Sequence, residues 1–346
     1  MKNLKFWIGI VLSIIFLWLS IKDANWPEVI KSFSKVNYLY IAAGILVLIL
    51  ANFFRALRWR SLLVRIKVIP IYDLFSIIMI ANLLLNTLPA RIGEIMRAYL
   101  LGKKYNISKT SCFSTIVVER VFDGCFAMAF FVVALWIYPG DISISISWVP
   151  DFSIKKAIYT LSLIYAAALI LLLLLKTFPS QVNKVLGIML HYFPEGIKSK
   201  GNNLANSFIS GLSIFNDCKH LFLSLIITGI VWILLPCFYY LGLLGFGIEK
   251  EFYLNFILMG FIIIAVMIPA APGYIGIFHF SVQMTLQKFF NVSPSIALSY
   301  AWVMWVCGMA VNIIPGLFYY SKYNLQIAKI REMELLAATP SARINE

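Results

Sequence analysis

Residues 252–287 run for thirty-six positions without an Asp, Glu, Lys or Arg, yet the run is broken in its middle by Pro269-Ala-Ala-Pro272-Gly273-Tyr-Ile-Gly276. As one straight helix it would be about 54 Å long at ~1.5 Å per residue, against a hydrocarbon core of about 30 Å. Such a stretch must turn back inside a membrane. Backbone that leaves the helix at bilayer depth is tolerated only where protein buries it or where it lines a polar cavity. The break is therefore a first candidate for function.

Composition places the whole chain in the same class. Hydrophobic residues make up 61% of it, charged residues only 13%, and the mean hydropathy is +0.88; a soluble domain carries about a quarter charged residues. The expected organisation is one membrane domain over 1–321 and a polar tail over 322–346. The start, Met1-Lys2-Asn-Leu-Lys5 followed by sixteen uncharged residues, imitates a signal peptide. No small-residue cleavage site follows it, so a retained first helix is expected. The five cysteines show no paired spacing and read as small buried hydrophobes.

The net charge of +14 follows a membrane pattern, which argues against a nucleic-acid partner. Lys2, Lys5 and the runs 55–70, 91–111, 176–220 and 322–346 hold 21 of the 29 basic residues. By the positive-inside rule these lie in the cytoplasm, together with both termini, and the cell membrane is the expected location. Six spans follow, near 6–21, 38–54, 112–138, 157–175, 221–244 and 295–320. Two apolar segments do not fit as simple crossings: 71–101, broken at Asn86-Thr-Leu-Pro89-Ala-Arg91, and 252–287. The expected fold is all-α and polytopic, with about six full transmembrane helices plus two re-entrant helical hairpins entering from opposite faces, an inverted-repeat-like plan. The other reading of the same segments is ordinary kinked helix pairs and eight or more crossings. Segment 176–220 reads as two amphipathic helices, with Val182, Val185, Leu186 and Met189 in the first and Leu204, Phe208, Ile209 and Leu212 in the second. They are expected to lie on the membrane surface, or else to dock a cytoplasmic partner.

Ionisable groups inside apolar segments cost about 2.5–3.5 kcal/mol each on insertion scales, so each is a functional candidate. Arg55, Arg58 and Arg60 close the second span; they either anchor it at the lipid phosphates or gather an anionic headgroup bidentately. In Leu88-Pro89-Ala-Arg91-Ile-Gly93-Glu94-Ile-Met-Arg97, Pro89 suits a first helical turn and Arg91, Glu94 and Arg97 step along one face. That face is either a self-neutralising network or an anion site helped by a helix N-terminus. Glu119, Arg120 and Asp123 share a face of the third span, and pairing with Arg91 or Arg97 would offset their burial. The outer break has no carboxylate. Gly273 and Gly276 permit close backbone approach there, and His279 either lines a cavity as a proton-sensitive group or stays neutral and hydrogen-bonded in the bundle. No HExxH, CxxC, GxSxG or GxxxxGK[ST] motif occurs, so no enzyme chemistry, cofactor or metal is expected.

Arg55-xx-Arg58, Asn86-x-Leu-Pro-Ala-Arg91-x-Gly93-Glu94-xx-Arg97, Glu119-Arg120-xx-Asp123 and Pro272-Gly273-x-Ile-Gly276, in this order across nearly the whole chain, resemble the flippase-like transmembrane domain of lysylphosphatidylglycerol synthases. The resemblance implies re-entrant helices, and movement of an anionic or zwitterionic phospholipid or glycolipid between leaflets. It points to Arg91, Glu94, Arg97, Glu119, Arg120 and Asp123. Family members usually read Pro-Gly-Gly-x-Gly with a Glu a few residues on, whereas Tyr274 and His279 stand at those places here. The soluble aminoacyl-transferring domain of the bifunctional enzymes is absent from this sequence.

Two functions are therefore weighed. One is a lipid translocator, with the headgroup in a polar cavity and the acyl chains left in lipid. The other is a non-transporting accessory subunit that presents lipid to a separate glycosyltransferase or aminoacyl transferase. In either case membrane lipids are the expected partners. Cysteines placed at positions 90 and 272 should react with impermeant reagents from opposite sides of the membrane; two inert positions would remove the opposed-hairpin reading.

Overall fold

The computed structural model describes residues 4–88, 92–140, 154–178, 181, 195–268 and 270–323. These residues form helices and no strand. In order they are α1 (Leu4–Ile21), α2 (Trp26–Ser34), α3 (Tyr38–Leu63), α4 (Ile71–Thr87), α5 (Ile92–Tyr105), α6 (Lys109–Ile137), α7 (Ile154–Thr177), α8 (Glu195–Gly211), α9 (Cys218–Gly245), α10 (Leu254–Val266), α11 (Ile277–Phe290) and α12 (Pro294–Lys322). The protein is thus an all-α polytopic membrane protein. Each of the six expected spans falls on one helix: α1, α3, α6, α7, α9 and α12. By length and composition four helices can cross a membrane, or five if the α1–α2 pair, bent by 84°, counts as one span.

The helices run further than the apolar runs that announce them. α3 continues through Arg55, Arg58 and Arg60 to Leu63, and α5 occupies most of the basic run 91–111, so neither run is the simple loop that charge alone suggests. The reason lies in burial, because Arg58 and Arg97 point into protein rather than water. Residues 22–37, expected to be an outer loop, contain α2, whose Pro27 sits in the first turn. Cys218 is exposed, which corrects its reading as a buried hydrophobe; Cys112 is buried.

The chain divides into two compact units, one built from Met1–Ala51, Ser76–Met96 and Leu234–Glu346, the other from Asn52–Phe75 and Arg97–Ile233. In the first, both broken segments are helix pairs. α10 and α11 flank a break at 267–276, and α11 packs on α1 through Phe280 and Phe16, 5.3 Å between ring centroids. α4 and α5 flank the break at 88–91, where a Cβ on Gly93 would meet the Ala81 carbonyl oxygen at 2.2 Å. α12 packs as closely on α4, since a Cβ on Gly316 would meet the Met79 carbonyl oxygen at 2.7 Å. Asn82 of α4 donates from Nδ2 to Asn312 Oδ1 of α12 at 3.0 Å.

The second unit has an apolar core of Leu62, Val118, Val121, Phe122, Leu172, Leu212 and Ile214. The Tyr165 ring of α7 packs against Gly124 of α6, where a Cβ would come within 1.8 Å of it. α8 packs on α6, with Ser111 Oγ donating to the Ser207 carbonyl at 2.7 Å. Of the amphipathic pattern read over 176–220, Leu212 is buried and Leu204 exposed. The second amphipathic helix therefore exists but rests on the protein's own α6; Val182, Val185, Leu186 and Met189 lie outside the described residues. Most of the expected tail, 324–346, lies outside them as well.

Gly276 is held at φ +83°, and an added Cβ would sit 2.1 Å from the Ser13 carbonyl oxygen. Gly276→Ala should lower stability by about 2–4 kcal/mol through backbone strain and the clash. Thermal unfolding in detergent measures this. Gly308→Ala, with nothing within 4 Å of its Cβ, should leave the midpoint unchanged or slightly raised.

Candidate functional site

In the second unit the sequence-predicted charges converge. Three consecutive turns of α6 carry Thr115, Glu119 and Asp123, and the i, i+4 spacing places all three on one face. α3 brings Arg58, α5 brings Arg97, and Arg120 follows Glu119 on α6. Arg97 grips the Glu119 carboxylate with both Nη atoms, at 2.9 and 2.8 Å. Arg58 Nη2 lies 2.9 Å from Glu119 Oε1 and 3.1 Å from Asp123 Oδ2, so one guanidinium bridges both acids. Arg120 closes the ring at 2.6 Å from Glu119 and 2.9 Å from Asp123.

Neutral side chains hold these groups in place, and the sequence pattern did not single them out. Trp232 of α9 donates from Nε1 to Asp123 Oδ1 at 3.1 Å, and Thr228, one turn earlier, meets Arg58 Nη1 at 3.3 Å. The Trp59 ring lies 3.8 Å from the Arg97 guanidinium carbon, a cation–π contact, while its indole N–H reaches Thr115 Oγ1 at 3.1 Å. An indole or hydroxyl at bilayer depth among apolar neighbours was the available signal. Trp59 beside Arg58, and Thr228 four before Trp232, carried it.

The exposure of the members differs sharply. Arg58 and Glu119 have 0% exposure and Arg97 6%, whereas the Arg120 side chain is 43% exposed. Arg58 is therefore enclosed by protein rather than exposed at the end of α3. Arg55, one turn before it, is half-buried, donates to Asn52 Oδ1 at 3.2 Å and makes no salt bridge among the described residues. Its electrostatic neighbours are Asp123, Arg120, Arg58 and Glu119. Among the described residues three guanidiniums thus pair with two carboxylates, and Arg55 adds a fourth positive charge nearby without touching them.

The first unit contains the other predicted positions. Gly93 permits the close α4–α5 approach, Glu94 is half-buried in the first turn of α5, and Pro89 and Arg91 lie outside the described residues. Asn86 donates to the Asn82 carbonyl on its own helix at 2.7 Å. The last turn of α4 approaches the second break here: a Cβ on Gly273 would lie 3.7 Å from the Asn86 carbonyl oxygen. The exposed backbone of the second break finds partners within the protein. The Ala271 N–H donates to Ser13 Oγ at 2.8 Å, and Trp305 Nε1 donates to the Gly273 carbonyl at 2.8 Å.

Pro272 starts a single 3-10 turn, and Tyr274 adopts φ +56°. That left-handed conformation is one a glycine takes without strain, which accounts for the family preference that Tyr274 departs from. His279 is fully buried; its Nδ1 accepts from the Gly276 N–H at 3.4 Å, capping α11, and its ring centroid lies 4.0 Å from that of Trp302 with the planes tilted by 50°. His279 is thus a buried side chain within the helices of this unit.

Among the described residues no group of three or more His, Cys, Asp or Glu could hold a metal. Asp217, which caps α9, has its carboxyl below the usual range, through hydrogen bonds from His220 and then the charge of Arg65.

The model of the lysylphosphatidylglycerol synthase transmembrane region matches residues 6–316. The chain belongs to that family. The match spans the charged cluster and both breaks. A relative, the UPF0104 membrane protein MJ1595 of Methanocaldococcus jannaschii, is 26% identical over 165 residues, 45% of this chain and 49% of that protein. The chain thus aligns with about half the length of that relative. No solved structure matches.

Glu119→Gln leaves three guanidiniums without their shared acid and should cost about 3–5 kcal/mol. Adding Arg97→Met should recover part of that loss in detergent unfolding. Strict additivity of the two changes would show that the pair is not formed.

Proposed function

We propose that this chain translocates a membrane lipid, with an anionic or zwitterionic headgroup, between the leaflets of the cell membrane. The observation that carries the reading is the excess of positive charge in a buried cluster. A purely structural network is expected to balance its charges, because each uncompensated charge taken out of water is costly. Among the described residues three arginines pair with two acids here, Arg55 lies close by without an acid of its own, and Arg120 remains half open at the edge. A phosphate placed against Arg120 and Arg55 would complete the balance, with charge-assisted and partly bidentate hydrogen bonds. Acyl chains need no site of their own in such a mechanism; they stay in lipid while the headgroup crosses.

The broken helix pairs support the same reading. Interrupted helices at bilayer depth are the usual means by which a transporter exposes a polar path while the rest of its backbone stays bonded. In this proposal the two breaks enter from opposite faces, both termini are cytoplasmic, and exposure alternates as the broken pairs move. Arg91 and Glu94 join the headgroup site on sequence grounds. The chain then moves lipid rather than making it, since the proposed site contains guanidiniums and carboxylates already committed to one another and no nucleophile.

Liposomes containing the purified protein should equilibrate a fluorescent phospholipid between leaflets. Arg120→Gln and Arg55→Gln should each slow this about tenfold or more, the effect of losing one hydrogen bond to a charged group. Lys288→Gln, at an exposed position, should scramble like wild type. Arg91→Ala and Glu94→Ala proteins that scramble at the wild-type rate would remove those two residues from the site. A wild-type protein that never scrambles but co-purifies with a glycosyltransferase or aminoacyl transferase would be an accessory subunit instead.

A further inference from the structure

On the other side of the α3–α9 seam, within the second unit, lies a cavity of about 490 Å³ that the ion cluster does not use. That size is within the range of about 300–1,000 Å³ typical of ligand sites. Its walls are apolar over most of their length, with Phe54, Leu57 and Val64 from α3 and Ile226, Ile227 and Ile230 from α9. The helices themselves divide the two sites. Thr228 and Trp232 of α9 turn to Arg58 and Asp123, whereas Ile226, Ile227 and Ile230 turn to the cavity. Likewise Arg58 is fully buried in the cluster, but Arg60, two residues on, is exposed and lines the cavity. The outer lip is open, with Ile226 45% exposed.

Polarity runs along the groove. Arg60 is in the last turn of α3, and His220 lies near the start of α9. Arg65 stands beside this end through Asp217, whose carboxylate it meets at 3.0 Å and His220 also meets at 3.0 Å. Arg60 makes no hydrogen bond or salt bridge among the described residues. α3 and α9 are both long and apolar enough to span a membrane, so their shared basic end lies where headgroups lie and the apolar part runs toward the bilayer interior. An amphiphile with a negative head and a hydrocarbon tail matches both features.

We infer that the α3–α9 groove is a binding site for one anionic phospholipid, an acyl chain along the isoleucine wall and the phosphate at Arg60. Basic residues near the membrane surface favour anionic over zwitterionic headgroups, by roughly fivefold per charge. This site is separate from the headgroup cluster and stands without it.

The test uses the full chain in nanodiscs of mixed phosphatidylglycerol and phosphatidylcholine, with retained lipid read by native mass spectrometry. Wild type should keep phosphatidylglycerol in preference to phosphatidylcholine. Arg60→Gln should lower that preference about fivefold. Ile226→Trp fills the groove from its open lip and should remove the retained lipid while keeping the unfolding midpoint. Equal retention of the two lipids by wild type would overturn the inference, as would undiminished phosphatidylglycerol on a folded Ile226→Trp protein. Scrambling is measured separately, so a protein that retains phosphatidylglycerol but does not scramble would refute the translocator and leave this site standing.

Discussion

The Glu119 carboxylate is the interaction on which the second unit depends. It is wholly buried and accepts from Arg97, Arg58 and Arg120, which arrive on α5, α3 and α6. None of these groups could stay charged alone at bilayer depth, and each is made tolerable by the others. The consequence is geometric as well as energetic. A bidentate Arg97–Glu119 pair fixes the rotation of α5 on α6, and Arg58 fixes α3 by reaching both acids. The packing around it then follows, with Trp59 under Arg97 and Trp232 against Asp123.

The same accounting governs the first unit, with backbone in place of charge. A helix interrupted in an apolar setting exposes N–H and C=O groups that water cannot reach. Ser13 and Trp305 supply partners for Ala271 and Gly273, and His279 supplies one for Gly276. The break over 267–276 is thus a bonded structure, held by α1, α11 and α12. The end of α4 lies close to it, at Asn86 and Gly273. The match to the lysylphosphatidylglycerol synthase transmembrane family covers both breaks and the charge cluster.

Much of this was legible from residue order. Helical spacing put Glu119 and Asp123 on one face, and the cost of burial demanded arginine partners; Arg97 was one of the two named. The breaks were legible because proline and glycine interrupt runs too long for one crossing. Other features were not. The expected span ended at residue 54, so the continuation of α3 through Arg58 to Leu63 was not legible, although the helical face of Arg91, Glu94 and Arg97 was. The choice between the two readings of His279 was equally closed, since a lone histidine in an apolar segment gives no sign of its partner.

By itself the sequence determined the class of the protein, its helices, its two interruptions and the set of charges that must find one another. These are consequences of local periodicity and of solvation, which a chain carries at each position. Only tertiary structure decided that Arg58 is buried while Arg60 is open, that Arg58, Arg97 and Arg120 meet two acids, and that Trp59, Thr228 and Trp232 complete the cluster. Those facts depend on which helix faces turn toward one another, and that is fixed by packing among segments far apart in the chain.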